Sequence, residues 1–342
     1  MEHYAGIDVS VQKSCVCVVD AVGKVVRESE VASEPEAMIA WFAKLKVKVV
    51  RIGLEAGPLS QWLCRHMRAA GLAVELMETR HVKNAFQTMP VKTDRKDARG
   101  IADLVRLGWY RPVHCKSLEA QETRALLTAR KLVQSKLHDF EMSLRGILRN
   151  FGLKVGKTAA RDFAFRVREL VAGNATLEIV AEGLLSAREA LLREFNNFER
   201  RVRAMARRNP QARLLMTTPS IGAIVSLTFA AAIDDPGRFR SSKQVGAYFG
   251  MTPRRYQSGE IDRSGRISKI GDEGVREALY LAAHVLITRT IKGGPLKSWA
   301  MRLAKRAGMK RAKTALARKL AVIMHRMLVD GKPFNFAAAA AA

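Results

Sequence analysis

The clearest structural signal lies near the amino end of the chain, where residues 3–31 read HYAGIDVSVQKSCVCVVDAVGKVVRESEV. Three β-prone runs, at residues 3–9, 14–20 and 25–31, are separated by short segments, and the last two are joined by a turn that contains glycine. This spacing predicts a meander of three antiparallel strands. Cys15 and Cys17 lie two positions apart in the second run, so we expect both side chains on one face of a strand, in a core rather than on zinc.

Helix and strand patterns alternate after this meander. Apolar residues recur at helical spacing over 35–45, 59–70 and 94–107, and the apolar runs at 49–54 and 72–77 are typical of buried strands. Three antiparallel strands followed by alternating helices and strands are the order of a ribonuclease H-like α/β fold. A flavodoxin-like fold would begin strand–helix–strand, and the sequence contains no glycine-rich phosphate loop.

The pattern becomes helical in the middle of the chain. Residues 118–208 contain no proline, and apolar residues recur every three or four positions. We predict two long helices, interrupted near 150–157, in an antiparallel or intermolecular coiled coil. The expected domains are therefore a ribonuclease H-like α/β domain at 1–113, a coiled-coil linker and oligomerisation region at 114–208, a mainly helical domain at 209–336, and a low-complexity tail at 337–342.

The third region has two further features. Residues 218–222, TPSIG, precede an apolar helix and resemble a helix-hairpin-helix turn, in which a glycine lets the backbone approach phosphate, although ordinary turns between helices look similar. Residues 301–330 carry nine Lys and Arg and one acidic residue, and they predict one amphipathic helix. Its basic face either is simply solvated or meets nucleic acid.

Composition limits the partners and the compartment. The 342 residues include 59 Lys and Arg against 32 Asp and Glu, a net charge of +27. This excess implies a polyanionic partner, and its spread along the whole chain favours nucleic acid over an anionic membrane. No apolar run reaches the roughly 18 residues of a membrane span, and because residues 1–4 are not a basic segment followed by an apolar one, we expect no secretory signal. The four cysteines form no CxxC pair, so we expect a protein of the reducing cytoplasm without a zinc module.

Four carboxylates fall where such a fold could bring them together. Asp8 is near the end of the first predicted strand, Glu55 follows the fourth, and Asp94 and Asp97 share one face of a helix start. In a ribonuclease H-like sheet the first and fourth strands are neighbours, and a helix laid across them brings the last pair to the same edge. Converging carboxylates repel one another unless cations neutralise them, which predicts Mg²⁺. Taken singly, each acid also fits a cap or a surface position.

The most motif-like stretch is residues 250–272, GMTPRRYQSGEIDRSGRISKIGD. We predict a helix that ends at Gly250 and then a loop that holds Ser258 and Gly259 among cations. A serine hydroxyl needs a base or a strong field to act as a nucleophile, and arginines can polarise a scissile phosphate. The alternative is a loop whose cations only hold a phosphate backbone. The candidate nucleic-acid-binding residues are Arg254, Arg255, Arg263, Arg266 and Lys269.

Together, the motifs GID at 6–8, EAG at 55–57, KTDRKDA at 92–98 and the stretch at 250–272 resemble the DEDD transposases of the IS110/IS1111 family of insertion sequences. The resemblance covers essentially the whole chain, with a departure at Pro58, where many relatives have threonine. It implies an N-terminal domain similar to the Holliday-junction resolvase RuvC, a coiled-coil linker and a C-terminal transposase domain. It also implies that the four carboxylates hold Mg²⁺ and that Ser258 attacks DNA to form a covalent 5′-phosphoserine link.

The resemblance further implies partners. Members of the family are recombinases guided by a structured non-coding RNA (a bridge or seek RNA) that pairs with donor and target DNA. We expect a homo-oligomer, dimeric with RNA and tetrameric on paired DNAs, that acts on the bacterial nucleoid. Two alternatives remain open at this point. One is a metal-dependent, structure-selective endonuclease of the Holliday-junction type, and the other is a non-catalytic RNA-binding protein on the same fold.

Overall fold

The structure is a computed structural model that describes residues 1–87, 93–291 and 294–336. The chain divides into two compact units, the first from Met1 to Lys116 and the second from Ser117 onward. The predicted tail at 337–342 and Lys92 of the KTDRKDA motif lie outside the described residues. Within the described part of the chain, no helix is both long and apolar enough to cross a membrane.

The first unit is a six-stranded mixed sheet with helices on both faces. Its strand order is β3-β2-β1-β4-β5-β6, in which β1–β4 and β4–β5 are parallel pairs and the other pairs are antiparallel. The predicted meander and the pairing of the first and fourth strands are confirmed. The elements are β1 (His3–Asp8), β2 (Lys13–Asp20), β3 (Val25–Ala32), α1 (Pro35–Ala43), β4 (Val49–Glu55), α2 (Ser60–Ala69), β5 (Val74–Met77), α3 (Thr79–Phe86), α4 (Asp94–Arg106) and β6 (Pro112–Val113).

Helix α4 lies directly on the sheet because two strand positions opposite it are glycines. A Cβ added to Gly6 would lie 2.1 Å from the carbonyl oxygen of Ala98, and one added to Gly53 would lie 2.3 Å from a methyl carbon of Val105. Cys15 and Cys17 are both buried on the same side of β2, against Ala98. The predicted place of the two cysteines in the core is therefore confirmed.

The second unit is helical apart from one hairpin. Its elements are α5 (Leu118–Arg149), α6 (Phe163–Val171), α7 (Ala175–Arg208), α8 (Pro210–Leu215), α9 (Ala223–Ile233), α10 (Gln244–Tyr248), β7 (Pro253–Ser258), β8 (Ile261–Ile267), α11 (Glu273–Thr288), α12 (Gly294–Ala307) and α13 (Met309–Asp330).

The two predicted long helices are present as α5 and α7, and they pack against each other in antiparallel orientation. The hydroxyl of Thr123, near the start of α5, contacts the sulfur of Met205, near the end of α7. Farther along α5, Glu141 accepts a hydrogen bond of 2.8 Å from Arg188. Helix α6 was not predicted; its Phe163 and Val167 are buried in a small core at the far end of the two helices. A coiled coil between chains stays a prediction.

Three predictions for the second unit need correction. The single helix expected over 301–330 is two helices, because Gly308 takes a φ of +85° and ends α12. The loop expected after Gly250 is a two-stranded hairpin. In the turn at 218–222 the left-handed residue is Ser220, with φ +69°, while Gly222 is extended and caps α9. The apolar stripe of α13 is buried as the amphipathic pattern indicates, at Leu316, Leu320, Ile323, Met324 and Met327.

Candidate active site

Asp8 and Glu55 end two neighbouring parallel strands. The register pairs Gly6 with Gly53 and Ile7 with Leu54, and the two acids are the next residues of β1 and β4. Because parallel strands point in the same direction, their final residues share one edge of the sheet. The structure therefore brings this pair to the same place, as the sequence predicts. Both side chains are half-buried.

Asp94 and Asp97 form the first turn of α4. Thr93 caps this helix, since its hydroxyl accepts a hydrogen bond of 3.3 Å from the backbone nitrogen of Lys96. Asp94 is exposed, whereas Asp97 is only 8% exposed. The start of α4 lies toward the strand ends, because the other end of the helix, at Arg106, bonds the carbonyl oxygen of Ala21 in the turn between β2 and β3.

One carboxylate from each predicted pair, Asp8 and Asp94, lies close enough to Cys15 to affect the pKa of its thiol. Cys15 is the register partner of Asp8 in the pairing of β1 with β2. Burial raises the pKa of the Cys15 thiol, and the negative charges of Asp94, Glu30 and Asp8 raise that pKa further. Asp94 and Asp8 thus act on the same atom from different elements. Burial and the carboxylate of Glu28 raise the pKa of Cys17 to about 12, so both thiols stay protonated at neutral pH and are poor metal ligands.

The donor chemistry of this edge suits a hard divalent cation. All four predicted ligands are carboxylates, and Mg²⁺ prefers oxygen ligands over thiols or imidazoles. Across the described ranges, however, no three His, Cys, Asp or Glu side chains lie together in a way that could hold a metal ion. The elements bring the carboxylates to one edge of the sheet, but the side chains do not form a complete coordination group.

Ser258 lies at the tip of an exposed hairpin in the second unit. It is the last residue of β7 and pairs with Ile261 of β8 across a turn made by Gly259 and Glu260. Gly259 has a φ of +54°, as such short turns require. Every residue of the two strands is exposed except Ile267, which is half-buried. The serine hydroxyl is therefore open to a large substrate.

The pleat of the hairpin sorts the predicted cations into two faces. Successive residues of a strand point to opposite faces, so Ser258 shares a face with Tyr256 and with Arg263, the register partner of Tyr256. Arg255 is on the other face, where its guanidinium donates two hydrogen bonds, of 2.9 and 2.6 Å, to Asp262. These bonds raise the pKa of Arg255 and lower the pKa of the Asp262 carboxyl.

The other predicted cations lie nearer the base of the hairpin. Arg254 donates a hydrogen bond of 3.2 Å to the carbonyl oxygen of Ser268. Arg266 and Lys269 are exposed, and Lys269 takes a left-handed φ of +56°. Of the five cations, Arg263 combines a place on the face of Ser258 with the register position nearest the hairpin tip on that face.

The residues that hold the base of the hairpin are not among those predicted from the sequence. Arg276 of α11 donates hydrogen bonds to carbonyl oxygens on both sides of it, and Arg124 of α5 forms an ion pair with Asp272. The available signal was the end of the motif at 250–272, where glycine and aspartate follow the second strand. Their partners lie on other helices and could not be read from that stretch.

Two models of known protein families match separate parts of the chain. A family model described as a transposase of the DEDD IS110 type matches residues 5–152, and a model described as the transposase IS116/IS110/IS902 family matches residues 212–296. The chain belongs to the IS110/IS116 family of DEDD transposases. The first match contains Asp8, Glu55, Asp94 and Asp97, and the second contains Ser258.

Curated relatives agree with this family. The chain is 28% identical over 341 residues to a transposase for insertion sequence element IS1111A of Coxiella burnetii, which covers 96% of this chain and 90% of the relative. It is 25% identical to a putative transposase of Sinorhizobium fredii, over 87% of this chain and 77% of the relative. It is also 30% identical to a pilin gene-inverting protein of Moraxella bovis, over 37% of this chain and 39% of that protein.

Proposed function

We propose that this DEDD transposase is an RNA-guided, site-specific DNA recombinase that excises and inserts its own insertion sequence. It would cut and rejoin DNA strands through a covalent bond to Ser258, with Mg²⁺ at Asp8, Glu55, Asp94 and Asp97. The observation that carries the proposal is the position of Ser258 at an exposed hairpin tip, in a chain that also brings carboxylates to one edge of a sheet. A hydrolytic nuclease would need only the carboxylates.

The covalent step conserves the number of phosphodiester bonds. The Ser258 oxygen bonds to the phosphorus of the scissile phosphate, and the bond from that phosphorus to the 3′ oxygen breaks. The proton lost by the serine hydroxyl passes to the leaving 3′ oxygen, which leaves a 5′-phosphoserine and a free 3′ hydroxyl. Attack by a 3′ hydroxyl of another strand reverses the step and releases the serine. Arg263, on the same face of the hairpin, would stabilise negative charge on the phosphate.

The carboxylate edge would hold the cation. DEDD transposase domains typically depend on divalent metals, and the donor set here is oxygen alone. When bound, Mg²⁺ would polarise phosphate oxygens and neutralise charge. The residues themselves orient the site: α4 is fixed to the sheet at Gly6 and Gly53, so the first turn of α4 keeps its position over the strand ends.

The guide RNA is proposed from the family resemblance and from the charge of the chain. A transposase binds DNA, and a net charge of +27 is suited to contact with nucleic-acid backbones. Base pairing between the guide and the donor and target DNAs would supply the sequence choice, as it does in other RNA-guided systems. Sequencing the RNA that copurifies with the protein tests this part. A guide should be one defined transcript from the end of the element, and a mixture of cellular RNAs would contradict the proposal.

A denaturing gel tests the chemistry. A duplex that carries the element end and its flanking DNA, incubated with the purified protein, its copurified RNA and Mg²⁺, should give a protein–DNA adduct that survives SDS. Ser258→Ala should abolish the adduct. Ser264→Ala is the matched control, since Ser264 is an exposed serine on the opposite face of the same hairpin. Cleavage with no adduct would identify a hydrolytic nuclease, and RNA binding with no cleavage would identify a non-catalytic protein.

A further inference from the structure

We call β7 and β8, with Ser258 at their tip, the serine hairpin, and its base is formed by the segments 248–252 and 268–271. At this base the two segments pack so closely that side chains have no room between them. Gly250 precedes β7 and has a φ of +68°, and an added Cβ would lie 2.1 Å from the carbonyl oxygen of Ile270. Gly271 follows β8 and has a φ of +111°, and an added Cβ would lie 2.2 Å from the carbonyl oxygen of Tyr248. Each glycine therefore lets the two segments touch backbone to backbone.

Arg276 joins these two segments from α11. One nitrogen of its guanidinium donates a hydrogen bond of 2.9 Å to the carbonyl oxygen of Gly271 and another of 3.3 Å to that of Phe249. The first acceptor lies after the hairpin and the second lies before it. Arg276 is half-buried, and its hydrogen bonds fix both ends of the hairpin to one helix.

Two ion pairs connect the start of α11 to α5. Asp272 caps α11, since its carboxylate accepts a hydrogen bond of 3.1 Å from the backbone nitrogen of Val275. The other carboxylate oxygen of Asp272 accepts from Arg124 of α5. Lys131, two turns farther along α5, forms an ion pair with Glu277 of α11. The helix that holds the hairpin base is thus tied to a long neighbouring helix at two points.

The length of the hairpin makes the angle at its base important. β7 has six residues, so Ser258 lies about 17 Å from the base at roughly 3.3 Å per residue. A rotation of about 10° at the base would move the serine oxygen by about 3 Å. A reacting group displaced by about 1 Å can react roughly 100-fold more slowly. Because both strands are exposed, the angle depends on the contacts at the base.

We propose that Arg276, supported by Arg124 through Asp272, is a positioning residue that fixes the angle at which the serine hairpin leaves its domain. The inference rests on the proposed function, because it assumes that Ser258 is the nucleophile. It gives a role to the Gly271-Asp272 end of the motif at 250–272, which the carboxylate site and the serine do not use.

The test compares Arg276→Ala and Arg276→Lys with Arg289→Ala. Arg289 follows α11 and is exposed, so its loss removes the same charge without affecting the hairpin base. The first measurement is the single-turnover rate of adduct formation on the element-end duplex, as a function of duplex concentration. We expect Arg276→Ala to lower the rate at saturating duplex by 10- to 100-fold and to leave the half-saturating concentration within twofold. Arg276→Lys should recover part of the rate, because an ammonium can still bond one carbonyl oxygen.

The second measurement needs no DNA. Hydrogen–deuterium exchange of two backbone amides at the base should become faster in Arg276→Ala. The amide of Ser268 donates a hydrogen bond of 2.8 Å to the carbonyl oxygen of Thr252, and the amide of Lys269 donates one of 3.0 Å to that of Gly250. Arg289→Ala should leave this exchange unchanged. The inference would be overturned if Arg276→Ala had the same exchange and the same adduct rate as Arg289→Ala. It would also be overturned if Arg276→Ala formed the adduct more slowly without faster exchange at the base. If the unmutated protein forms no adduct, the proposed nucleophile is wrong, and the exchange comparison alone decides the role of Arg276.

Discussion

Gly6 of β1 lies so close to Ala98 of α4 that the two backbones are in contact. A Cβ added to Gly6 would lie 2.1 Å from the carbonyl oxygen of Ala98 and 2.3 Å from the backbone nitrogen of Ala102. Backbone atoms of a helix cannot shift singly, so a side chain at position 6 would have to push α4 off the sheet. Asp94 and Asp97 belong to that helix, and their distance from Asp8 and Glu55 depends on this contact.

Gly6→Ala should therefore damage the carboxylate site. We expect the melting temperature to fall and DNA cleavage to drop by about 100-fold, because a shift of about 1 Å in a reacting group has an effect of that size. Thermal melting and a cleavage assay measure the two effects. Gly183→Ala is the control: Gly183 lies within α7, and an added Cβ there would meet nothing within 4 Å besides its chain neighbours and its own helix backbone. Stability should rise by about 0.5–1 kcal/mol with activity unchanged. Full cleavage by Gly6→Ala would contradict the dependence on this contact.

The carboxylates should be needed for cleavage and not for RNA binding. Asp8→Asn and Asp97→Asn each remove one negative ligand and keep the side-chain volume, so strand cleavage should disappear while RNA affinity stays within about twofold. Gel shifts with the copurified RNA and cleavage assays measure the two properties. Asp103→Asn is the matched control, since Asp103 lies on α4 and pairs with Arg106, away from the strand ends. Normal recombination by either site variant would show that the site is misassigned.

Active sites should be shared between subunits. Ser258 and the carboxylates belong to different units, and the helices α5 and α7 between them have 32 and 34 residues, about 50 Å each at 1.5 Å per residue. These helices fold back on each other, so their lengths do not add up to one long spacer. Sharing is expected instead because the two groups lie in separate compact units and recombination handles several DNA strands at once, so one subunit's serine could meet another subunit's carboxylates. Mixing Asp8→Asn protein with Ser258→Ala protein should then restore part of the recombination, because one composite site keeps both groups. If mixed oligomers form and no activity returns, each chain builds its own site.

Stability should depend on pH through His325. This residue is buried in α13, with Nδ1 2.9 Å from the hydroxyl of Ser242 and Nε2 3.1 Å from the carbonyl oxygen of Pro236. Burial lowers the pKa of His325. The hydrogen bond with Pro236 raises this pKa and the positive charge of Arg238 lowers it, and the net effect is a lowered pKa.

The unfolded chain, with an ordinary histidine pKa of about 6.5, therefore binds this proton more readily than the folded protein. The contribution of neutral His325 to the free energy of unfolding is complete above about pH 6.5, and it is lost as the pH falls through the pKa of His325 in the folded protein. The melting temperature should fall between pH 7 and pH 5, and His325→Gln should be less stable at pH 7 but show a smaller fall. An equal fall in both proteins would contradict this role.

Elements with a strong apolar pattern could be predicted from the sequence, and those without one could not. Strands β1, β2, β4 and β5 each bury a run of apolar side chains. The long helices α5 and α7 carry apolar residues at helical spacing and bury those near their ends, whereas β3 buries only Val31 and was predicted from its place after a turn. Helix α3 buries only Val82, and β6 is two residues long and is held by its pairing with β5. Hairpin β7–β8 is exposed and carries mostly polar side chains, so only the backbone pairing of two segments defines it.

The local pattern of residues was enough to place Asp8 and Glu55 at strand ends, Asp94 and Asp97 in one helix turn, and Ser258 beside a glycine. Periodicity and capping depend on residues a few positions apart, and these are visible in a sequence. The tertiary structure was needed to show that Gly6 and Gly53 hold α4 on the sheet and that Arg276 joins both ends of the hairpin. Those contacts connect residues far apart in the chain, and their existence depends on backbone distances that only the packed fold defines.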